Sequence, residues 1–377
     1  MDQSVYLRFL SEADMIKAGV LDMEGCLETM EDMFEVMTSG DYLMGGPSEN
    51  DHGHLIWFPE EKRGENMPVA GPDRRFCSMI AYLGGKYNIA GQKWYGSNIE
   101  NRHLGLPRSI HSITLNDPDN IKPLAFMSGN LLSQMRTGAI PGIASKYLAK
   151  ENPESLGLVG AGMVGKTSLL GVATAHKNLK KIVVYDVFES ASESLVKYAK
   201  DELGLHVETT NDVNEVIEEM DIIVVCASGD ELPTIDTNLI KKGGFICLTS
   251  APNFNDESWI NEFEFYADNW KSHKVFVDEM NLPRENVEEE VLAWVPSAPV
   301  VKAFKEKKFE ESRVTDLGDV IVGNKQGRKN PDEKVIFITT GLPVEDVAWG
   351  KVILDRANEE NIGQKLNFWE DAQYWLK

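Results

Sequence analysis

Three glycines form the pattern in this chain whose spacing points most directly to chemistry. Gly160, Gly162 and Gly165 follow the apolar run 156–159 and precede an apolar helical stretch. In such a G-x-G-x-x-G turn, the first glycine permits a tight turn, the second lets the backbone approach a pyrophosphate, and the third lets the helix pack on the strand. The positive end of the following helix would also favour a pyrophosphate. The residues predicted to form this dinucleotide site are Gly160, Gly162, Met163, Val164 and Gly165.

Asp186 indicates which dinucleotide this turn would bind. It ends a second apolar run, 182–185, about 20 residues beyond Gly165, where an acid can accept hydrogen bonds from the adenosine ribose. A carboxylate repels a 2′-phosphate, and no arginine follows within two residues, so NAD(H) is favoured over NADP(H). The alternative interpretation is a glycine-rich turn in an unrelated α/β protein.

The elements that must position this turn predict a parallel, doubly wound sheet. Strands and helical stretches alternate from residue 156 onwards, which is typical of βαβ units. The further elements predicted in this part are helices at 191–203 and 211–219 and strands at 207–209, 222–226, 243–249 and 274–278. Ala227 and Ser228 form the turn after one of these strands and are predicted to contact the cofactor.

The remaining segments predict a second, discontinuous domain of the α+β class. Its predicted elements are helices at 15–37 and 131–148 and strands at 76–82, 91–95, 109–115 and 123–127. The helical tail at 344–357 has no strand partner left in the nucleotide sheet, so we expect it to return to this domain. We therefore predict an α/β protein with a Rossmann domain at 139–329 and a substrate-binding domain at 1–138 and 330–377.

Composition excludes several classes of function. The net charge of −22 argues against nucleic acid and anionic membranes, which require a positive surface. No apolar run approaches the ~20 residues of a membrane helix, and no basic start with an apolar centre indicates a signal peptide. The four cysteines are scattered without C-x-x-C or His-paired spacing, which predicts a reducing cytoplasm and no structural zinc.

Histidines and aromatic residues in the first part of the chain do not form a pattern that predicts a specific site. His52 and His54 form an H-x-H pair, but no third ligand has a recognisable spacing, so we predict no metal site. His103 and His111 are interpreted as structural. Aromatic side chains on predicted strands are interpreted as core, although they would also suit a hydrophobic amine or an aromatic amino acid.

Several blocks, taken together, resemble the ornithine cyclodeaminase/mu-crystallin family. Residues 133–139 resemble its Arg-Thr-Ala/Gly-Ala signature, 318–328 resemble a block that ends in Gly-Arg, and 336–346 resemble its Phe-x-Ser/Thr-x-Gly block followed by Glu-Asp. Other segments look most like the branch of dehydrogenases related to siderophore diaminopropionate synthesis and of chains labelled as a tyramine oxidase subunit. These segments are 82–85, 91–94, 105–108 and 115–117.

The resemblance implies residues that would contact the cofactor. Arg136 and Thr137 match the family residues that bind cofactor phosphate. Thr339 and Gly341 would approach the nicotinamide. The resemblance also implies a homodimer formed through the sheet of the first domain.

The resemblance further implies a lysine that faces the substrate, which Lys93 matches. An ammonium there could hold a substrate carboxylate or, in a desolvated pocket, transfer a proton at the amine. Arg75 is a candidate for clamping a carboxylate bidentately.

Two carboxylates of the cyclodeaminases have no counterpart in this chain. The loop after Leu248 contains Asn253 and Asn255 but no acid before Asp256, and no acid lies between residue 79 and Lys93. Cyclising ornithine requires a base for the side-chain amine and for the departing ammonia. The departure therefore argues against ornithine cyclodeamination and favours simpler C–N redox chemistry.

The main hypothesis is an NAD(H)-dependent oxidoreductase that interconverts an amino acid, N-substituted amino acid or amine with its imine. Lys93 would be the carboxylate anchor or proton carrier. The alternatives are a cyclodeaminase-type ammonia lyase that recycles its NAD, and a nucleotide-binding accessory protein of the mu-crystallin type.

Overall fold

The computed structural model describes residues 4–227, 231–283 and 285–370. Its helices are α1 (Glu12–Lys17), α2 (Met23–Thr38), α3 (Asn130–Leu148), α4 (Met163–Ala175), α5 (Glu189–Leu203), α6 (Trp259–Glu262), α7 (Trp270–Glu279), α8 (Val287–Leu292), α9 (Ala298–Lys305), α10 (Leu317–Ile321) and α11 (Pro343–Glu359). Its strands are β1 (Val5–Leu10), β2 (Tyr42–Met44), β3 (His54–Trp57), β4 (Arg75–Leu83), β5 (Ile89–Ser97), β6 (Ser109–Asn116), β7 (Pro123–Ser128), β8 (Ser155–Val159), β9 (Lys181–Tyr185), β10 (Glu208–Thr210), β11 (Ile222–Val225), β12 (Thr234–Ile235), β13 (Phe245–Leu248), β14 (Asn253–Phe254), β15 (Phe263–Ala267), β16 (Val314–Asp316), β17 (Lys334–Ile338) and β18 (Gln364–Trp369).

The described chain divides into two compact units. The first unit contains residues 4–22, 39–136 and 342–370, and the second contains the residues described within 23–38 and 137–341. Besides a shift of two residues at 137–138, two segments differ from the predicted domains. Residues 330–341 belong to the second unit because β17 pairs there with β13 and β15. Residues 23–38 also belong to it, since α2 packs against α4 and α10.

The second unit is built on a parallel sheet with the order β10-β9-β8-β11-β13-β17-β15-β16. Strands β9 and β10 lie on one side of β8, and β11 and the later strands lie on the other side. The direction in which successive strands are added therefore reverses between β8 and β11. Strands β8, β11 and β13 are buried along their whole length, which explains their continuous apolar runs. The predicted doubly wound Rossmann sheet is confirmed.

The first unit is built on a mixed sheet with the order β18-β1-β7-β6-β5-β4-β2, and β3 pairs with β4. Strands β1 and β7 are parallel, and the other pairs are antiparallel. Helix α11 packs against β4, β5 and β6. Because side chains alternate along a strand, Lys93 of β5 is buried while its neighbour Trp94 is 38% exposed.

Three predicted elements are wrong in type or extent. The strand predicted at 274–278 belongs to α7, where Trp270, His273 and Phe276 are buried at helical spacing. The helix predicted at 15–37 is two helices, because the chain turns at Gly19 with a φ of 84°. The helix predicted at 211–219 is only the 3₁₀ turn Val213–Val216.

The length and apolar character of the helices were compared with those of a membrane-spanning helix. Within the described ranges, none combines the length and the apolar character that spanning a bilayer would require.

Candidate active site

The glycine turn lies between β8 and α4. Gly160 has a φ of 115°, and a Cβ there would lie 2.6 Å from Ala227 N. A Cβ at Gly165 would lie 2.3 Å from Gly160 O, so the packing of the protein itself requires both glycines. At Gly162, by contrast, a Cβ would meet nothing within 4 Å among the described residues. The open backbone at Gly162 fits the close approach of a pyrophosphate.

Helix α4 presents its first turn at the same place. It begins at Met163, and its N-cap Gly162 provides no side-chain cap. Met163 is 50% exposed, and Val164 is half-buried. The first N–H groups of a helix have no intrahelical acceptor, so this turn can donate hydrogen bonds to an anion.

Asp186 lies directly after β9, against the glycine turn. Its Oδ2 accepts a hydrogen bond from Ala161 N at 2.7 Å, and its Oδ1 accepts one from Phe188 N at 2.9 Å. These bonds fix the carboxylate beside the glycine turn, and its contact with the adenosine ribose stays a prediction. On the other side of β8, Ala227 follows β11. Ser228, which was also predicted to contact the cofactor, lies outside the described residues.

The turn after β17 lies on the same edge of this parallel sheet. Thr339 N donates to Leu248 O at 3.3 Å, and Thr339 is 6% exposed. Gly341 has a φ of 73°, a conformation that favours glycine. Since the carboxyl ends of parallel strands share one edge, the glycine turn, Asp186, Ala227 and this turn are brought together there.

Thr137 lies on α3 within the second unit and is half-buried. At the next residue, Gly138, a Cβ would lie 2.4 Å from the Thr167 backbone of α4. Helix α3 therefore packs closely on the helix that follows the glycine turn. Contact between Thr137 and a cofactor phosphate stays a prediction.

A buried cluster of two cations and two acids lies in the first unit. Arg136 Nη1 is 2.7 Å from Glu345 Oε2, and Arg136 Nε is 3.1 Å from Asp346 Oδ1. Lys93 Nζ is 2.8 Å from Asp346 Oδ2 and donates to Ser133 Oγ at 3.2 Å. All four charged side chains are buried, and their balanced charges make that burial tolerable.

Lys93 has the perturbed titration expected of a proton carrier. Burial lowers its pKa to about 8, aided by the charge of Arg136 and opposed by Asp346 and Glu345. For Asp346, burial alone would raise the pKa, but the charges of Arg136 and Lys93 outweigh it and hold the pKa below its usual value. The arrangement can therefore keep Asp346 ionised while Lys93 exchanges a proton close to neutral pH.

Glu345 and Asp346 were missed as site residues by the sequence analysis. They stand in the first turn of α11, directly after Pro343 and Val344, where the helix dipole favours acids. That placement is also the ordinary pattern of a surface helix, so it predicts no contact with Lys93. The structure thus supplies from α11 a carboxylate that the sequence before Lys93 lacks.

Arg136, predicted to bind cofactor phosphate, has its guanidinium engaged by Glu345 and Asp346. These contacts alone give that role no support. A guanidinium has enough N–H groups to serve carboxylates and a further anion at once, so the role stays a prediction.

Arg75 lies among aromatic rings on the strand next to Lys93. Its guanidinium carbon is 5.2 Å from the ring centre of Trp57 and 5.9 Å from that of Tyr95. Its Nη1 donates to Asp73 O at 3.2 Å, while its Nε is buried and has no hydrogen-bond partner within the part of the chain that the structure describes. Lys93 Nζ is 5.8 Å from the centre of the same Tyr95 ring, so both predicted substrate residues flank this ring.

His111, which we interpreted as structural, also belongs to this group. Its ring stacks on Tyr95 with 5.0 Å between the ring centres. Burial, followed by the charge of Lys93, lowers the pKa of His111 to about 3, so the imidazole is neutral near pH 7. The pairings of Lys93 with Ile113 and of Tyr95 with His111 place these side chains on one face. Side chains alternate between the two faces of a strand, so the sequence could have placed His111 on this face if the pairing of β5 with β6 had been known.

The loop predicted to differ from the cyclodeaminases is held by local turns. Asn255 Oδ1 accepts from Thr237 N at 3.0 Å, and Asp256 Oδ1 accepts from Ser258 N at 2.8 Å. In the ranges that the structure covers, no group of three or more His, Cys, Asp and Glu side chains is placed to hold a metal ion.

Comparison with known proteins adds relatives to this geometry. The model of the ornithine cyclodeaminase/mu-crystallin family matches residues 20–361. The N-((2S)-2-amino-2-carboxyethyl)-L-glutamate dehydrogenase of Staphylococcus aureus is 28% identical over 298 residues, which cover 78% of this chain and 82% of that relative.

Solved structures show the same fold at lower identity. An archaeal alanine dehydrogenase dimer with bound NAD has a TM-score of 0.78 at 23% identity, covering 97% of this chain and 100% of that one. The Δ1-pyrroline-2-carboxylate reductase of Thermococcus litoralis, in complex with NADH and L-proline, has a TM-score of 0.77 at 24% identity, covering 96% and 100%.

Proposed function

The chain belongs to the ornithine cyclodeaminase/mu-crystallin family, and from that premise we propose that it is an NAD(H)-dependent oxidoreductase acting on a C–N bond. Its substrate is an amino acid, an N-substituted amino acid or an amine, which it interconverts with the imine. The observation that carries the proposal is the buried Lys93–Asp346 pair, in which the pKa of Lys93 is lowered to about 8. Dehydrogenation of an amine releases a proton as well as a hydride, so it requires such a group.

The residues at the carboxyl edge of the second sheet suit NAD(H). Gly162 and the first turn of α4 would hold the pyrophosphate, and Asp186 would bind the adenosine ribose. Arg136, Thr137, Thr339 and Gly341 remain proposed cofactor contacts. When bound, NAD+ accepts a hydride and NADH donates one.

In the first unit, neutral Lys93 would take the proton that the substrate amine loses as the imine forms. Asp346, held ionised, stabilises the resulting ammonium. Arg75 would bind the substrate carboxylate through its guanidinium, whose Nε has no hydrogen-bond partner among the described residues. The rings of Trp57 and Tyr95 keep this guanidinium in place.

A homodimer and a cytoplasmic location complete the proposal. The sheet face opposite α11 exposes Phe76, Ile80, Trp94, Ile110 and Phe126. A contiguous apolar face of this kind marks an interaction surface, and the alanine dehydrogenase with the same fold is a dimer. The four cysteines are buried and are scattered without paired spacing, which suits a reducing compartment.

The test is an assay of NADH absorbance with the purified protein. NAD+ or NADP+ would be supplied with amino acids, N-carboxyalkyl amino acids and aromatic amines, and ammonia would be measured in parallel. We expect substrate-dependent accumulation of NADH with NAD+ in preference to NADP+. Ammonia released without NADH would instead identify a cyclodeaminase-type lyase. Tight NADH binding without turnover on either assay would identify an accessory protein.

A further inference from the structure

A second charged network, buried in the second unit, is not used by the proposed chemistry. Asp268 follows β15 directly, and its Oδ1 lies 2.9 Å from His273 Nε2 on α7. His273 Nδ1 lies 2.7 Å from Ser297 Oγ, at the start of α9. Asp268 is 2% exposed, and His273 and Ser297 are 0% exposed. A buried carboxylate is costly, so this network requires an explanation.

The residue types match a hydrolytic triad, but the burial excludes that role. Ser297 Oγ would have to reach a substrate, and the side chain is enclosed by protein. Its backbone carbonyl accepts hydrogen bonds from Val300 N and Val301 N in the first turn of α9. Ser297 is therefore an anchor at a helix start and not a nucleophile.

The other carboxylate oxygen of Asp268 indicates what the network holds. Asp268 Oδ2 accepts from Thr340 N at 2.6 Å and from Thr340 Oγ1 at 3.3 Å. In return, Asp268 N donates to Ile338 O at 3.1 Å. These hydrogen bonds thus attach the network to the turn that contains Thr339 and Gly341.

The strand order reverses between β8 and β11, which is the switch point of the sheet, and the turn after β17 lies on the β11 side of it. Asp186 follows β9, the glycine turn follows β8, and β17 lies three strands from β8 on the side away from β9. At about 4.8 Å per strand, that is about 14 Å from the pyrophosphate site, in the direction opposite to the adenosine. A dinucleotide held across the switch point directs its nicotinamide half that way.

We propose that Asp268, fixed by His273 and Ser297, is a positioning residue that shapes the Thr339–Gly341 turn for the nicotinamide end of the cofactor. The inference rests on the proposed NAD(H) site and adds residues that never touch the ligand. Asp268 accepts from Thr340 N with one oxygen while the other is held by His273, so the carboxylate cannot rotate away. The bond orients the peptide just before Gly341.

The experiment compares affinity for NADH with affinity for ADP-ribose, which lacks nicotinamide, in the wild type and in Asp268→Asn. Each carboxylate oxygen accepts from a backbone N–H group, Oδ2 from Thr340 N and Oδ1 from Asn269 N. Asparagine has only one acceptor oxygen, so it cannot keep both bonds and the carboxamide is forced out of this position. We expect the Kd for NADH to rise about tenfold and the Kd for ADP-ribose to change less than about twofold. Equal weakening of both ligands, or of neither, would overturn the proposal.

Two further variants guard against a general loss of stability. His273→Phe keeps a ring beside Trp270 and removes both hydrogen bonds, so it should show the same selective loss of NADH affinity. His176→Phe is the matched control, because His176 Nε2 also pairs with a serine, Ser145 Oγ, at 2.9 Å, at the opposite end of α4 from the glycine turn. It should leave both dissociation constants unchanged. A wild type that binds neither ligand would refute the proposed function itself.

Discussion

At the scale of single residues, the proposed chemistry depends on the protonation state of Lys93. Its pKa is lowered to about 8, so the lysine changes charge within the range in which enzymes are assayed. A neutral lysine is needed to accept a proton in the oxidative direction, and a protonated one is needed in the reductive direction.

We predict that the oxidative kcat rises with pH through about 8, while the reductive kcat falls through the same value. Lys93→Gln should remove this titration and lower kcat by roughly a hundredfold or more, with little change in the Kd for NADH. Rate profiles measured in both directions, with NADH binding followed by fluorescence, provide the check. A titration that persists unchanged in the variant would assign it to another group.

Asp346 raises the pKa of Lys93, since its charge stabilises the ammonium. We therefore predict that Asp346→Asn moves the midpoint of the oxidative profile to lower pH. Removing one partner from a buried charge network should also cost about 3–5 kcal/mol of the free energy of unfolding, because Arg136 and Lys93 lose a shared carboxylate. Chemical denaturation measures the second effect. A midpoint that moves to higher pH would contradict the proposed pairing.

At the scale of elements, two glycines of the turn between β8 and α4 meet different requirements. One is needed for packing within the protein, and the other leaves space beside the backbone. A Cβ at Gly165 would clash with a backbone oxygen, whereas a Cβ at Gly162 would meet nothing within 4 Å among the described residues. Gly165 therefore serves the packing of α4 on β8, whereas the open space at Gly162 is left for the proposed pyrophosphate.

We predict that Gly162→Ala reduces NADH affinity about tenfold or more while the free energy of unfolding changes by no more than about 1 kcal/mol. Gly165→Ala should instead destabilise the fold by about 1–3 kcal/mol through overpacking. Calorimetric binding and thermal unfolding of the two variants test this difference. If Gly162→Ala bound NADH like the wild type, the pyrophosphate would not lie at this turn.

At the scale of the whole molecule, the sheet of the first unit exposes apolar side chains on the face opposite α11, and a monomer would leave these side chains in water. Ile80 is 40% exposed there. We predict that the wild type sediments as a dimer and that Ile80→Glu sediments as a monomer, because a carboxylate at a desolvated contact is costly. Leu104→Glu is the matched control. It replaces an apolar residue that is 74% exposed outside the sheet, and it should stay dimeric.

The sequence predicted the strand, turn and helix around the glycine motif better than the elements further along the chain. Gly160, Gly162, Gly165 and Asp186 lie in one short segment, and their spacing alone implies a strand, a turn and a helix. The segment 274–278 shows the limit of such reasoning, because a short apolar run suits either a buried strand or a helix face. Only the caps and partners of α7 decided between them.

The charged cluster of the first unit was decided by tertiary structure. Arg136 and Asp346 are separated by 210 positions in the chain, and they meet because α11 packs on β4, β5 and β6. A local pattern carries no information about such a pairing, and the pKa of Lys93 depends on burial and on charges from distant segments. The sequence by itself determined the family, the Rossmann sheet and the place of the glycine turn, since these rest on contiguous residues. Which acid pairs with Lys93, and whether His111 faces it, required the folded chain, because burial and distance exist only there.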